Sequence, residues 1–266
     1  MGNKEKNMLF KFAKIFIFVL AMISSANASE PDEDKERLNI LVYGATGRIG
    51  QVIVDEALQR GHRVTGVSRS PEKLDVNHKN FTAAKGDLAS RTGIAKLIGW
   101  ADAVIITISA KSPDNRPENS LLVDATTNVL DILRETQFKP YIVQIGGANL
   151  IYGNTYEEVA ANMKNATFNY EPGSEMHGVL FGHQLSVEMY RRSNIAWTVV
   201  VPPMRILGIY GKPDRLNHKD KYRTSTSSAL VAKDGSKTIY VRDLAKATID
   251  EVENRQFVGQ IFTAAY

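Results

Sequence analysis

Three glycines at a spacing of three, Gly44, Gly47 and Gly50, follow the apolar run Ile40-Leu41-Val42 in the stretch NILVYGATGRIGQ. A turn of this kind between a buried strand and a helix is built for a pyrophosphate. The first glycine turns the chain with no Cβ in the way, the second lets the backbone approach the phosphates, and the third lets the helix pack close to the strand. Backbone N–H groups at the helix start, together with its dipole, favour a doubly charged phosphate pair. The spacing is G-x-x-G-x-x-G rather than G-x-G-x-x-G, so the flanking strand and helix carry the reading as much as the glycines do.

A second chemical signal lies at the end of the next strand, which reads Ser68-Arg69-Ser70-Pro71 with no carboxylate before Glu72. Sites for NAD normally present an acidic residue there to take the ribose hydroxyls. A guanidinium suits a 2′-phosphate, through paired charge-assisted hydrogen bonds. Arg69 therefore points to NADP (as NADPH) over NAD; its other reading is a solvated loop arginine. Asp87, in Lys85-Gly86-Asp87-Leu88, has two readings: it accepts from an adenine amino group, or it caps the following helix. Ser109 ends the fourth strand, at the edge of the crevice where the nicotinamide end of a cofactor would lie.

Other chemistries are excluded or unsupported. The chain has no cysteine, which rules out disulfides, thiolate catalysis and Cys-ligated zinc. Of His62, His78, His177, His183 and His218, none is three or four residues from another, so no metal-ligand spacing appears. The formal net charge is +4, and Lys4, Lys6, Lys11 and Lys14 against Glu5 place three of those charges in the first 28 residues. The remainder gives no argument for nucleic-acid binding. The expected partner is a small-molecule acceptor, with no nucleic acid, no membrane span in the mature chain, and a monomer or homodimer as the assembly.

The elements that must position these residues alternate. A helix carrying Ile49, Val52, Ile53, Val54, Ala57 and Leu58 on one face ends at Gly61, and His62–Ser68 is the second strand. Phe81–Ala84 is the third strand, followed by a helix through Leu97. Ala103–Ile108 (AVIITI) is an apolar fourth strand, as a central parallel strand buried on both faces requires. Ser120 caps a helix whose buried side includes Leu122, Val129 and Leu133. Tyr141–Ile145 is the fifth strand, closed by Gly146-Gly147-Ala148.

Asn149–Gly182 carries no readable motif and is expected to cap the substrate. A helix over Gln184–Arg192 leads into the sixth strand, Ile195–Val201, stopped by Pro202-Pro203. Gly211–Arg223 reads as a basic solvated loop. Thr224–Tyr240 reads as a hairpin turning at Asp234-Gly235. Asp243 is expected to cap a last helix through Val252, and Gln260–Ala264 is the final strand. This order predicts an α/β, Rossmann-type doubly wound parallel sheet with a small C-terminal extension on the substrate side. Ligands then gather beyond the carboxyl ends of the strands.

The N-terminus is of another kind. A basic region over Lys4–Lys14, the apolar run Ile15–Ile23 and the small residues Ser24-Ser25-Ala26-Asn27-Ala28 read as a signal peptide cut after Ala28. The organisation is then 1–28 signal peptide, 29–37 polar linker and 38–266 NAD(P)-binding Rossmann domain. The product is periplasmic or extracellular; initiation at Met22 would instead leave a cytoplasmic chain. No twin-arginine pair precedes the apolar run, so the chain would cross unfolded and acquire any cofactor outside.

With GATGRIG, Ser68-Arg69-Ser70, Lys85-Gly86-Asp87, IGGA over Ile145–Ala148 and WTVVVPP over Trp197–Pro203 in hand, Leu38–Tyr266 resembles a known family. It is similar to the atypical short-chain dehydrogenase/reductases of NAD(P)H-binding, NmrA-like type, and most similar to the flavin reductase/biliverdin-IXβ reductase branch. The resemblance implies that Gly44, Thr46, Gly47, Arg48, Ile49 and Gly50 hold the pyrophosphate, Arg69 the 2′-phosphate, and Asp87-Leu88 the adenine. It places nicotinamide beside Ile108-Ser109 and Gly146-Gly147. No tyrosine here has a lysine four residues on, so the Tyr-x-x-x-Lys proton donor of the classical members is missing. The branch's serine after the fifth strand falls on Gly147, a departure. Its histidine falls on or near His183, which either steers or protonates an acceptor or is a helix-start histidine bonded to backbone. The implied activity is NADPH-dependent reduction of a flavin, quinone or similar conjugated acceptor, with His183 and Ser109 as the catalytic candidates. The alternative is a non-catalytic NADP-binding sensor or partner-binding protein.

Overall fold

β-Branched and aliphatic runs closed by glycine or polar tips make the strands of this chain, and amphipathic stretches between them make the helices. The computed structural model describes residues 36–151, 158, 173–209, 221–231 and 235–266, in a unit spanning Arg37–Tyr266. The expected signal peptide, nearly all of the expected polar linker, most of the expected cap, most of the basic stretch and Asp234 lie outside the described residues.

The strands are β1 (Asn39–Tyr43), β2 (Arg63–Ser68), β3 (Phe81–Lys85), β4 (Ala103–Ile106), β5 (Tyr141–Ile145), β6 (Trp197–Val201), β7 (Arg205–Leu207), β8 (Arg223–Ser225), β9 (Thr238–Tyr240) and β10 (Gln260–Ala265). The α-helices are α1 (Arg48–Gln59), α2 (Arg91–Ile98), α3 (Leu121–Glu135), α4 (Glu175–Arg191) and α5 (Val241–Asn254). Eight strands form one sheet in the order β3-β2-β1-β4-β5-β6-β10-β8. Every pair is parallel except β10 with β8. The chain leaves β1 in one direction to β2 and β3, then crosses back to β4, so the crevice opens between β1 and β4. Register sets the strand tips level: Tyr43 pairs with Val67 on one side and Ile106 on the other.

Alternation along β1 feeds two cores. Ile40 and Val42 join Val52, Ile53, Leu244 and Ile249 on the α1/α5 face, while Leu41 and Tyr43 join Ile94, Leu122, Val129 and Tyr190 on the α2/α3/α4 face. Two-sided burial explains the fully apolar β4. On the first face, the Arg60 guanidinium meets Glu56, Asp250 and Glu253, and the buried His62 lies 3.0 Å from Glu253, tying α1 to α5. Gly61, at φ 87°, follows the last turn of α1 as the sequence predicts.

Four expectations are corrected. Thr224–Tyr240 is not a hairpin: β8 adds antiparallel to β10, with Thr224 opposite Ala264, while β9 pairs in parallel with β7. Gly235 does adopt a turn conformation, φ 81°, but two sheet edges elsewhere capture the flanking strands. Asp243 does not cap α5, which starts at Val241 with Tyr240 as its N-cap residue. Its carboxylate instead takes the Tyr266 hydroxyl and, at 3.0 Å, the Lys246 ammonium. Asp87 does not cap α2, whose N-cap residue is Ser90. Finally, α4 begins at Glu175, capped by Ser174 through the His177 N–H at 3.1 Å, and not at Gln184. Gly178 and Gly182 weaken the helical reading there, yet their bareness is used. A Cβ on Gly178 would lie 2.8 Å from the Asn115 carbonyl oxygen, and one on Gly182 2.6 Å from Ser120 Oγ.

Candidate functional site

The glycine turn is shaped by contact, residue by residue. Gly44 takes φ 81°, and a Cβ there would lie 2.6 Å from Thr107 Oγ1. A Cβ on Gly50 would lie 2.2 Å from the Gly44 carbonyl oxygen, closer than any real Cβ approaches. Gly47 differs: its added Cβ meets only the Gly44 oxygen at 3.0 Å, with open space elsewhere. Gly44 and Gly50 are thus fixed by the fold, while Gly47 keeps backbone bare beside the crevice. Gly47 is the N-cap residue of α1, with no side-chain cap and no carboxylate in the first turn of Arg48, Ile49 and Gly50. An uncapped helix start beside a glycine turn fits a pyrophosphate.

Thr107 was not singled out from sequence. Its N–H donates to the Tyr43 carbonyl at 3.0 Å, and its hydroxyl donates to the carbonyls of Tyr43 at 2.9 Å and Gly44 at 3.2 Å. One polar residue after the apolar β4 therefore braces the turn across the crevice. Its only sequence signal is a hydroxyl in an otherwise apolar run. Tyr43 was also missed. Its hydroxyl is buried without a side-chain or backbone partner, and burial pushes the phenol's pKa far up, so it stays neutral.

Beside the turn, the Ser68 and Thr46 hydroxyls are 3.1 Å apart, and Ser68 Oγ accepts from the Ser70 N–H at 3.1 Å. The glycine turn and the arm carrying Arg69 are thereby joined. Arg69 is exposed and makes no ion pair among the described residues. Asp87 accepts from the Ala89 N–H at 3.0 Å, and Leu88 is buried. Gly44, Thr46, Gly47, Arg69, Asp87, Leu88, Ile108 and Ser109 line one cleft, together with Thr107 and Tyr43. Its empty volume is about 720 Å³, open solvent included. Ser109 is exposed, and its Oγ accepts from the Lys111 N–H at 3.2 Å.

Gly146, Gly147 and His183 stand together at the end of β5, outside that lining. A Cβ on Gly146 would lie 2.6 Å from a Val199 methyl, and one on Gly147 2.8 Å from His183 Cδ2 and 2.6 Å from Asn149 Oδ1. The His183 ring fills the volume a larger residue at 147 would need. Burial pulls its pKa down to about 4, so the imidazole is neutral at physiological pH and is not a cationic acid there. Its Nδ1 and Asn149 Oδ1 are buried with no hydrogen-bond partner, while Asn149 Nδ2 donates to the Leu180 carbonyl at 2.9 Å. Asn149 gave no sequence signal, since it opens the stretch without motifs. Among the described residues no His, Asp and Glu cluster could hold a metal, and no helix is long and apolar enough to cross a membrane.

A family model for NAD(P)H-binding proteins matches residues 44–254. The uncharacterized protein YwnB of Bacillus subtilis is 24% identical over 226 residues, which is 85% of this chain and 97% of that one. Two solved structures show the same fold. A Streptococcus pneumoniae TIGR4 protein, assigned as an NADH-flavin reductase, aligns with a TM-score of 0.66 at 22% identity, covering 85% of this chain and 98% of its own. A Burkholderia pseudomallei protein, assigned as exported, aligns with a TM-score of 0.63 at 26% identity, covering 86% of this chain and 100% of its own. With its uncapped glycine turn at the β1/β4 crevice, the chain belongs to the NAD(P)H-binding family.

Proposed function

We propose that this protein is an NADPH-dependent reductase of a flavin, quinone or similar conjugated acceptor, exported after cleavage behind Ala28. The coarser reading, an NAD(P)H-dependent oxidoreductase, is supported by the family match and by the neighbour assigned as an NADH-flavin reductase. The single observation that carries the choice of NADPH is Arg69, an exposed cation just past the β2 tip that makes no ion pair among the described residues, with no acidic residue from Ser68 to Pro71. The leader-like sequence and the relative assigned as exported support the location.

The bound nucleotide would supply the hydride, and the protein binding and orientation. Gly44, Thr46, Gly47, Arg48, Ile49 and Gly50 hold the pyrophosphate, Arg69 the 2′-phosphate, and Asp87-Leu88 the adenine. Ile108 and Ser109 on one side, with Gly146 and Gly147 on the other, flank the nicotinamide end. His183 acts as a neutral ring that orients the acceptor, since its lowered pKa removes the imidazolium at working pH. The test is NADPH oxidation by the mature chain across a panel of flavins and quinones. Turnover with at least one acceptor is expected; complete inactivity of a chain shown to bind NADPH would overturn the reductase reading. A second reading, a nucleotide-binding sensor, draws on the same geometry: Gly147 leaves no hydroxyl beside a histidine that stays uncharged. A partner protein captured only in the presence of NADP would favour it.

A further inference from the structure

Beside the cleft at Arg69 lies a second, open pocket, most of whose lining the cofactor assignment above does not use. It shares Arg69, Gly86 and Asp87 with the cleft and adds Lys85 from the end of β3 and Ser90, Thr92 and Lys96 from the start and body of α2. Register brings two of these cations to neighbouring strand tips. Ser68 pairs with Lys85, and the Gly86 N–H donates to the Ser68 carbonyl at 3.0 Å, so Arg69 stands one step past the rung that Lys85 occupies. Lys96 lies one helical turn beyond Thr92, on the same face. Ser90 Oγ and Thr92 Oγ1 are 3.2 Å apart at the mouth of that helix.

The charges in this pocket are unbalanced. Among the described residues Arg69, Lys85 and Lys96 form no ion pair. The one carboxylate in the lining, Asp87, accepts from the Ala89 N–H. Three like charges around one pocket repel, and a dianion among them reverses the sign of that interaction. Two serine and threonine hydroxyls add neutral donors suited to phosphate oxygens. When a pyrophosphate sits on the Gly44–Gly50 turn, the adenosine ribose reaches the tip of β2. That tip is where the cleft meets this pocket.

We infer that Lys85 and Lys96, with Ser90, complete with Arg69 a three-cation pocket for the 2′-phosphate of NADP, and that selection against NAD is set by the pocket and not by Arg69 alone. This rests on the NADP reading above. The lysines come from a strand end and a helix on the far side of Gly86, so they would grip the phosphate from a different direction than the guanidinium.

The test is calorimetric titration of the mature chain with NADPH, NADH and adenosine 2′-monophosphate, for the parent and for Lys85→Gln, Lys96→Gln and the double variant. Each single change is expected to weaken NADPH and adenosine 2′-monophosphate about fivefold, in the range of an exposed charge contact, with NADH altered less than twofold. A double variant that keeps the parental NADPH-to-NADH preference, while Arg69→Ala loses it, would overturn the three-cation pocket and leave the NADP reading intact. A parent chain with no preference would overturn both. Equal weakening of NADPH and NADH in the double variant would also overturn the inference, because it would show general electrostatics and not phosphate recognition. So would inorganic phosphate that binds through the lysines undiminished by saturating NADPH.

Discussion

At the scale of single residues, the three glycines of the turn do different jobs, and the difference is measurable. Gly50→Ala would drive a methyl to 2.2 Å from the Gly44 oxygen, so the helix must move off the strand. The expected loss is about 2–3 kcal/mol of unfolding free energy, in the range of overpacked sites. Gly47→Ala meets only one atom at 3.0 Å and should cost less than about 1 kcal/mol, while weakening NADPH at least tenfold because the methyl stands where backbone should approach phosphate. Urea denaturation paired with NADPH titration separates the two; equal loss of stability in both variants would remove the distinction. Arg69→Asp should lower NADPH affinity about a hundredfold and bring NADH level with it, since it swaps a phosphate partner for a ribose-hydroxyl acceptor. Direct titration of both nucleotides reads this out. The turn of Gly44, Gly47 and Gly50 was legible in sequence because it joins a strand and a helix whose patterns are unmistakable. Thr107 and Asn149 were not: their roles arise from chain segments that are distant in sequence and meet only in the fold.

At the scale of elements, α4 carries the most informative titration. His183 is neutral in the folded chain down to about pH 4, whereas its ordinary pKa is 6.5. The unfolded chain therefore binds a proton, between those values, that the folded chain refuses. The stability linked to the neutral ring is complete above pH 6.5 and is lost as pH falls toward 4, by up to about 3 kcal/mol. His183→Gln should flatten that part of the pH profile of urea-unfolding free energy; an unchanged slope would show that the ring is solvated in the folded state. Elements were legible where a local pattern and the sheet agreed, as for β1 to β6 and α3 with its Ser120 cap, where the Val123 N–H reaches Ser120 Oγ at 3.3 Å. They were misread where two signals competed. The Asp234-Gly235 turn signal lost to the edge of β10, and the Gly178 and Gly182 positions hid a helix because their reward is contact with the 110–120 segment.

At the scale of the whole molecule, the question is whether the sheet of an NAD(P)H-binding chain folds before it meets a nucleotide. Strands buried on both faces put Ile40, Leu41, Val104, Ile105, Ile142 and Val143 out of contact with water entirely. Those contacts owe nothing to the crevice, whose walls are strand tips and loops. Burial of that extent, on both sides of one sheet, is what carries the fold. A chain beginning at Ser29 is thus expected to unfold cooperatively and reversibly in the absence of any nucleotide. Ligand that binds only the folded form then adds stability as the logarithm of its concentration over Kd, about 2.7 kcal/mol at a hundredfold excess. For a domain of this size that corresponds to a rise in Tm of about 5–10 °C. Calorimetry of the refolded chain with and without NADPH measures both quantities together. A chain that fails to refold until nucleotide is present would mean that the crevice, and not the two-faced core, organises the sheet.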